Sequence, residues 1–153
     1  MDNLILQSSA NDITNLKPDI TTENIVEIQA KADETSRLMV HLADRATREY
    51  PNIKKVVILA RPPRLDSLSE ISEKANNALK EEVKKYNNDK ICVVEHNIAL
   101  QGLTKENVFG SKSERNDGVH MNGKHGKEAY TNSIINALKS SGIANKKKTT
   151  KLN

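Results

Sequence analysis

An aspartate and a histidine three positions apart are the residues of this chain best suited to acid–base chemistry. Residues 117–120 read Asp-Gly-Val-His and precede a segment with helical periodicity. Imidazole exchanges a proton near neutral pH, and a carboxylate bonded to one ring nitrogen fixes the tautomer and stabilises the imidazolium ion. We therefore expect Asp117 to orient His120 as a general base. The competing interpretation is a helix-entry turn in which Asp117 binds local backbone amides.

A second candidate group is Asn11, which with Asp12 follows the apolar run Leu4-Ile5-Leu6. An asparagine just beyond a strand can aim its amide donor at a developing oxyanion, and loss of one such donor costs about 2.7–4 kcal/mol of barrier. We expect this role for Asn11. The alternative is that Asn11 and Asp12 simply turn the chain, which both residue types do readily.

Two arginines frame the loop that follows the apolar run from Val56 to Ala60, where the sequence reads Arg-Pro-Pro-Arg. The planar guanidinium groups of Arg61 and Arg64 suit the binding of an anionic group. We predict that both arginines contact substrate. A solvated loop with no ligand is the alternative.

Metal ligation is the weakest of the chemical interpretations. Asp117, His120 and His125 are close in sequence, but no cysteine cluster or second carboxylate accompanies them. Tetrahedral sites in proteins draw on three or four converging ligands. The sequence therefore predicts neither a metal site nor a cofactor.

Three apolar runs alternate with three amphipathic segments along the chain. Buried strands are predicted at 4–6, 56–60 and 91–94, and helices at 22–50, 67–86 and 126–138, with an irregular stretch from about 97 to 116. Continuous apolar runs between helices indicate a parallel sheet covered on both faces by right-handed crossovers. We predict an α/β fold with a small three-stranded parallel sheet. Sites in such sheets lie at the carboxyl ends of the strands. All the candidate groups named above are in loops that come after a predicted strand, so we expect them at this edge.

The composition predicts one domain with a modest aliphatic core, because the chain has 153 residues, of which 36% are hydrophobic and 3% aromatic. Lysine and arginine total 24 against 20 acidic residues, and the four lysines after Asn145 account for the excess. We place the domain at residues 1–142 and a basic, disordered tail at 143–153. Such tails are mostly solvated, and contact with nucleic acid or anionic lipid is the alternative.

Sequence features that are missing from these residues lead to predictions about the compartment and about contact with a membrane. Cys92 is the single cysteine, so no intramolecular disulfide can form. The N-terminal residues do not resemble a signal peptide, and no apolar stretch approaches the length of a membrane span. We expect a protein of the cytoplasm or another intracellular compartment, without membrane contact.

The two polar motifs together resemble the SGNH, or GDSL-type, superfamily of esterases and lipases. Residues 9–12, Ser-Ala-Asn-Asp, resemble its Gly-x-Asn-Asp block with serine in place of glycine, and residues 117–120 match its Asp-x-x-His block. The resemblance covers about residues 2–140. It implies a flavodoxin-like three-layer α/β/α domain, of which this chain is the later half. It also implies that Asn11 is an oxyanion donor, that Asp117 and His120 form the acid–base pair, and that the substrate is a small ester or acylated molecule.

The nucleophilic serine of that family is the point of departure. The family carries it in a Gly-Asp-Ser block after the first strand, and Gly-Asp-Ser occurs nowhere in these 153 residues. Neither Ser8, Ser9 nor Ser111 occupies a corresponding position. The resemblance therefore implies a hydrolase domain that begins at the third strand and is truncated or inactive as this chain. The alternative is a non-catalytic binding module of the same fold, with RNA or a protein as its partner.

The predicted strand at Leu4 to Leu6 has a further consequence. A sheet that starts with this strand exposes its outer edge, and exposed edges pair with other chains. We expect either self-association through this edge or completion of the sheet by a longer chain.

Overall fold

The computed structural model describes residues 3–8, 24–96, 104–114 and 116–142. In chain order it contains β1 (Asn3–Gln7), α1 (Ile25–Glu49), β2 (Lys55–Leu59), α2 (Ser69–Tyr86), β3 (Ile91–Val94), α3 (Lys105–Phe109), a 3-10 helix (Lys112–Glu114) and α4 (Lys124–Ser140). Residues 143–153, predicted as a basic tail, lie outside the described part of the chain.

The sheet has three strands in the order β1-β2-β3, and both strand pairs are parallel. Val56 of the central strand is in register with Leu4 on one side and with Ile91 on the other. The four apolar residues of β2, from Val56 to Leu59, are at most 3% exposed, because helices cover both faces of this strand. The predicted α/β fold with a small parallel three-stranded sheet is confirmed.

Helices α1 and α2 pack on one face of the sheet and α4 packs on the other. On the first face the core includes Val40 and Ala43 of α1, Leu79 of α2 and Ile58 of β2. On the second face Ala137 of α4 packs on the alternate side chains of β2. This division follows from the two-residue period of a strand, which sends neighbouring side chains to opposite faces.

The core-facing stripe of α1 differs from the stripe that its sequence predicts. In the sequence, Leu42 and Tyr50 continue the helical spacing of Ile28 and Ala32, which predicts a core position, but they are 55% and 61% exposed. The buried stripe includes Ser36 and Val40, and the Ser36 hydroxyl donates to the Ala75 carbonyl of α2 at 2.8 Å. That prediction was wrong because hydrogen bonds allow polar residues into the helix contact, which rotates the buried stripe away from the largest apolar side chains.

Two short helices occupy part of the stretch that was predicted to be irregular. Thr104 caps α3, since its hydroxyl accepts a hydrogen bond from the backbone amide of Asn107 at 3.1 Å. The side chains of Val108 and Phe109 are buried, which anchors this turn to the domain. The last helix begins two residues earlier and ends two residues later than the predicted span of 126–138.

Two glycines bring α3 against the start of α4. A Cβ atom at Gly123 would lie 2.2 Å from the Asn107 carbonyl oxygen, and one at Gly126 would lie 2.0 Å from the Val108 oxygen. The backbone amide of Gly123 donates to that Val108 oxygen at 3.1 Å. The close approach therefore fixes the end of the loop that carries Asp117 and His120.

Helix α1 is long, but it is too polar to cross a membrane, and the same holds for every described helix that reaches such a length.

Candidate active site

A cleft of about 560 Å³ opens at the carboxyl edge of the sheet. Gln7 and Ser8 line it from the end of β1, and Pro62 lines it from the loop after β2. Its opposite wall consists of residues 119–122 and of one side of α4, including Tyr130. The cleft therefore lies where parallel sheets place their ligands.

The turn at residues 117–120 forms a compact hydrogen-bonded unit. One oxygen of Asp117, Oδ1, accepts from the backbone amides of Val119 at 2.9 Å and His120 at 2.8 Å. The other oxygen, Oδ2, lies 2.6 Å from Nδ1 of the His120 ring. The two interpretations of this motif therefore describe one geometry, in which the carboxylate holds the turn and the ring together.

The charge of Asp117 follows from these contacts. Partial burial opposes its ionisation, but the amides of His120 and Val119 and the His120 ring outweigh burial and hold the pKa of this carboxyl well below its usual range. An ionised carboxylate can only accept, so His120 donates through Nδ1–H. In the neutral ring Nε2 then carries the lone pair. His120 lines the cleft and its side chain is 42% exposed, so this nitrogen is available as a base.

Gly118 ties this turn to the loop after β2. Its φ of 74° lies in the left-handed region, which disfavours residues with a Cβ. Its carbonyl oxygen accepts from the Leu65 amide at 2.8 Å, and a Cβ here would lie 3.3 Å from the Leu65 carbonyl carbon. The glycine in the Asp-Gly-Val-His motif therefore has a specific structural role that its sequence alone did not reveal.

Ser8 is the serine that the structure places at the cleft. Its backbone amide donates to the Leu59 carbonyl at 3.0 Å, which continues the pairing of β1 with β2 by one residue. Its hydroxyl is fully buried and has no hydrogen-bond partner among the described atoms. A buried hydroxyl without a partner is uncommon in proteins. The sequence did not favour Ser8 as a site residue, and the signal that could have raised it is its position directly after a strand.

Tyr130 is a cleft residue, although its helical spacing with Ile134 and Leu138 in the sequence predicts a place in the core. Its ring stacks on His96, with centroids 4.9 Å apart and planes at 22°. Its hydroxyl accepts a hydrogen bond from the Gln7 amide, which connects α4 to β1. Nδ1 of His96 lies 3.2 Å from the buried Ser133 hydroxyl, and burial lowers the pKa of His96 against an opposing contribution from the Ala60 backbone. His96 therefore supports the wall of the cleft as a neutral ring.

The two arginines predicted to bind substrate turn into the protein. Arg61 is 2% exposed, and its Nη1 donates to the Ser36 hydroxyl at 2.9 Å. Arg64 is 3% exposed and holds both oxygens of Asp66, with Nε to Oδ1 at 2.6 Å. Both line a smaller pocket of about 170 Å³ rather than the cleft beside His120. Their placement favours a structural role, and substrate contact stays a prediction.

Two further predictions concern the oxyanion donor and the residues considered as metal ligands. Asn11, the predicted oxyanion donor, lies outside the described residues. Within the described ranges, no three His, Cys, Asp or Glu side chains converge in a way that could hold a metal ion. His125 lies exposed at the start of α4.

Comparisons with known proteins add no family assignment. The chain matches no protein-family model, no curated protein and no solved structure. The class that the fold defines is a small three-layer α/β domain with a cleft at the carboxyl edge of its sheet.

Proposed function

We propose that the cleft beside His120 is the acid–base half of an ester-hydrolysing site. The observation that carries this proposal is the Asp117–His120 pair, joined at 2.6 Å, with the ring lining a cleft at the carboxyl edge of a parallel sheet. The resemblance of residues 9–12 and 117–120 to the SGNH esterases supports the same reaction class. The cleft volume of about 560 Å³ suits a small ester or acylated molecule.

The reaction uses His120 as the base. Nε2 takes the proton of an attacking hydroxyl group while the hydroxyl oxygen forms a bond to the carbonyl carbon of the ester. The same proton then passes to the departing alkoxide when the ester bond breaks. Asp117 holds the ring in the required tautomer and stabilises its transient positive charge.

The nature of the attacking group limits the rate at which this chain hydrolyses an ester. Because the sequence contains no Gly-Asp-Ser block, we assign the attack to a water molecule in the cleft. Serine hydrolases that lose their triad keep roughly 10³–10⁴-fold acceleration over water from the rest of the site. General-base catalysis by His120 adds to that residual rate, so we expect slow turnover that falls when His120 is replaced.

Hydrolysis of p-nitrophenyl acetate tests the proposal. We expect His120→Gln to lower the rate at least about tenfold, since it removes the base and keeps a similar side-chain volume. The matched control is His125→Gln, because an exposed imidazole also cleaves activated esters and His125 is exposed five residues away. Equal rates for the two variants would refute an acid–base role for His120.

A fluorophosphonate probe, which labels activated serines, tests the identity of the attacking group. We expect no stoichiometric labelling. Labelling of Ser8 that disappears in His120→Gln would replace water with the Ser8 hydroxyl and make the chain a serine esterase.

A non-catalytic binding module is the second candidate, and the absent nucleophile block favours it. Stacking on single-stranded RNA requires exposed aromatic rings. The chain has no tryptophan, its one phenylalanine, Phe109, is fully buried, and the exposed Tyr50 is not among the residues that line the cleft. A protein or small acylated ligand therefore suits this alternative better than RNA. RNA binding that persists after deletion of residues 145–153 would argue for the RNA-binding version.

A further inference from the structure

The described wall of the cleft beside His120 carries a cation and no carboxylate. Among the described lining residues, Lys127 of α4 alone has a full charge on its side chain, and the others contribute amide, hydroxyl, imidazole or apolar groups. Asp117 binds the His120 ring, but it is not one of the lining residues. This part of the cleft therefore favours a ligand with a negative charge.

The helical period explains why the cleft meets Lys127 and not the acidic residue beside it. Lys127, Tyr130 and Thr131 are three and four residues apart on α4, and all three line the cleft. Glu128 follows Lys127 by one residue, which turns its side chain about 100° around the helix axis. Side chains on a helix lean toward its N-terminus, so Lys127 leans toward the end of α4 that the His120 turn joins.

Lys127 differs from other basic residues of the helices in having no ion-pair partner at helical spacing. Lys31 of α1 pairs with Glu27 at 2.7 Å, and Lys74 of α2 pairs with Glu70 at 2.6 Å. The residues three and four positions from Lys127 are not acidic: Gly123, Lys124, Tyr130 and Thr131. Among the described residues no carboxylate forms an ion pair with Lys127. Its ammonium group is therefore available to a ligand in the cleft.

We propose that the ester hydrolysed in this cleft carries a carboxylate, which the Lys127 ammonium binds while His120 acts at the ester bond. This inference rests on the proposed hydrolytic function. One ammonium group balances one negative charge, so a carboxylate matches it better than a phosphate monoester, which carries between about 1.5 and 2 negative charges at pH 7.

The position of Thr131 supports the binding of a carboxylate, which has two oxygen atoms to satisfy. The Thr131 hydroxyl lies one helical turn beyond Lys127 and lines the same cleft. One carboxylate oxygen can therefore accept from Lys127 and the other from Thr131. Binding at this remote end of the substrate holds the ester carbonyl in the cleft near the base, which is how contacts away from the reacting bond contribute to catalysis.

Two matched pairs of esters test the proposal, since the carboxylate can belong to either part of the substrate. Mono-4-nitrophenyl adipate carries it in the acyl part, and its neutral match is methyl 4-nitrophenyl adipate. The compound 4-carboxyphenyl acetate carries it in the leaving group, and its neutral match is 4-carbamoylphenyl acetate. We expect kcat/KM to be about fivefold higher for the charged member of one pair, since ion pairs at exposed groups are weak. The preferred pair identifies the part that carries the carboxylate.

Substitution of Lys127 decides whether that preference comes from its charge. We expect Lys127→Gln to bring the ratio of charged to neutral ester close to one, and Lys127→Glu to reverse it. The control is Lys124→Gln, because Lys124 is exposed one turn earlier on α4 and does not line the cleft. Each ratio compares two substrates of one variant, so it does not depend on the folded fraction. A ratio that Lys127→Gln leaves unchanged, or that Lys124→Gln lowers equally, would overturn the proposal.

Binding without hydrolysis separates this proposal from the proposed function. Hexanoate and hexanamide differ in charge but little in size, and nuclear magnetic resonance titration of the amide signals of residues 119–122 measures the affinity of each. We expect hexanoate to bind about fivefold more tightly than hexanamide, with the difference lost in Lys127→Gln and reduced by salt. If His120→Gln leaves ester hydrolysis unchanged while this difference persists, the hydrolytic function fails and the carboxylate site stands. Equal affinities for the two ligands would overturn the carboxylate site.

Discussion

Two turns at the same edge of the sheet are each held by a carboxylate, and they differ in the exposure of the basic side chain that the carboxylate binds. Asp66, after β2, binds the Arg64 guanidinium and also accepts from the Leu68 amide at 3.2 Å. Asp117, before α4, binds the His120 ring and accepts from two backbone amides. Each carboxylate therefore supports a local turn and holds a basic side chain a few residues away.

What separates the two turns is the exposure of the basic partner. Arg64 is 3% exposed, whereas the His120 side chain is 42% exposed and lines the larger cleft. A guanidinium that is 3% exposed presents little surface to a ligand in solution. A half-exposed imidazole held by one nitrogen leaves its other nitrogen accessible. The same local chemistry thus holds a buried guanidinium in one turn and an accessible imidazole, a candidate base, in the other.

Removal of the buried partner should have the largest effect on stability. We expect Arg64→Ala to lower the free energy of unfolding by about 3 kcal/mol, because it leaves the partly buried Asp66 carboxylate without its cation. His120→Ala removes an exposed ring and should cost less than about 1 kcal/mol. Urea denaturation of both variants measures the difference. Equal losses would show that the two turns are energetically alike.

Substitution of Gly118 should have an intermediate effect. We expect Gly118→Ala to lower the free energy of unfolding by about 1–2 kcal/mol, because alanine disfavours the left-handed backbone. The contact of the new Cβ with Leu65 should lower it further. Gly142→Ala is the matched control, since Gly142 has a φ of 73° but a Cβ added there would meet no atom within 4 Å. Thermal denaturation of both variants isolates the Leu65 contact as the difference. If the two losses coincide, the turn at 117–120 does not depend on its contact with the β2 loop.

The smallest effect should come from His96, the partly buried histidine beside the same cleft. Since folding lowers the pKa of His96, its contribution to stability is complete above the unfolded value of about 6.5 and is lost as the pH falls through that value toward the folded one. We expect the native chain to lose stability between about pH 7.5 and about pH 5.5, and His96→Gln to reduce this dependence. Denaturation at both pH values checks it, and an unchanged slope in the variant would contradict it.

The sequence anticipated the contact between Asp117 and His120, which lie 2.6 Å apart. Asp117 and His120 are three residues apart, so their contact depends on a turn that the intervening Gly118 permits. Local hydrogen bonds of this kind form within one segment of chain, which is why spacing was sufficient to anticipate them. Arg61 and Arg64 show the limit, because the same loop can turn its side chains outward or inward and only the packing of α1 and α2 decides between them.

The wall of the cleft at Tyr130 and His96 is held by contacts between segments that are distant in the sequence, and the sequence did not predict these contacts. Tyr130 reaches Gln7 across 123 positions of sequence, and His96 reaches Ser133 across 37. No periodicity within one segment encodes such pairs. Tyr130 was predicted as a core residue, and its helical stripe is compatible with both a core and a cleft position.

The sequence by itself determined the order of strands and helices and the parallel sheet, because continuous apolar runs and apolar residues spaced at the helical period are local properties of the chain. It also determined the hydrogen-bonded turn at residues 117–120. The tertiary structure alone decided which face of α1 is buried, since Ser36 and Val40 face the core while Leu38 and Leu42 remain exposed. It also decided that Ser8 lines the cleft while Arg64 does not. Burial is a property of the whole packed domain, so it follows from how the layers meet and not from any one segment.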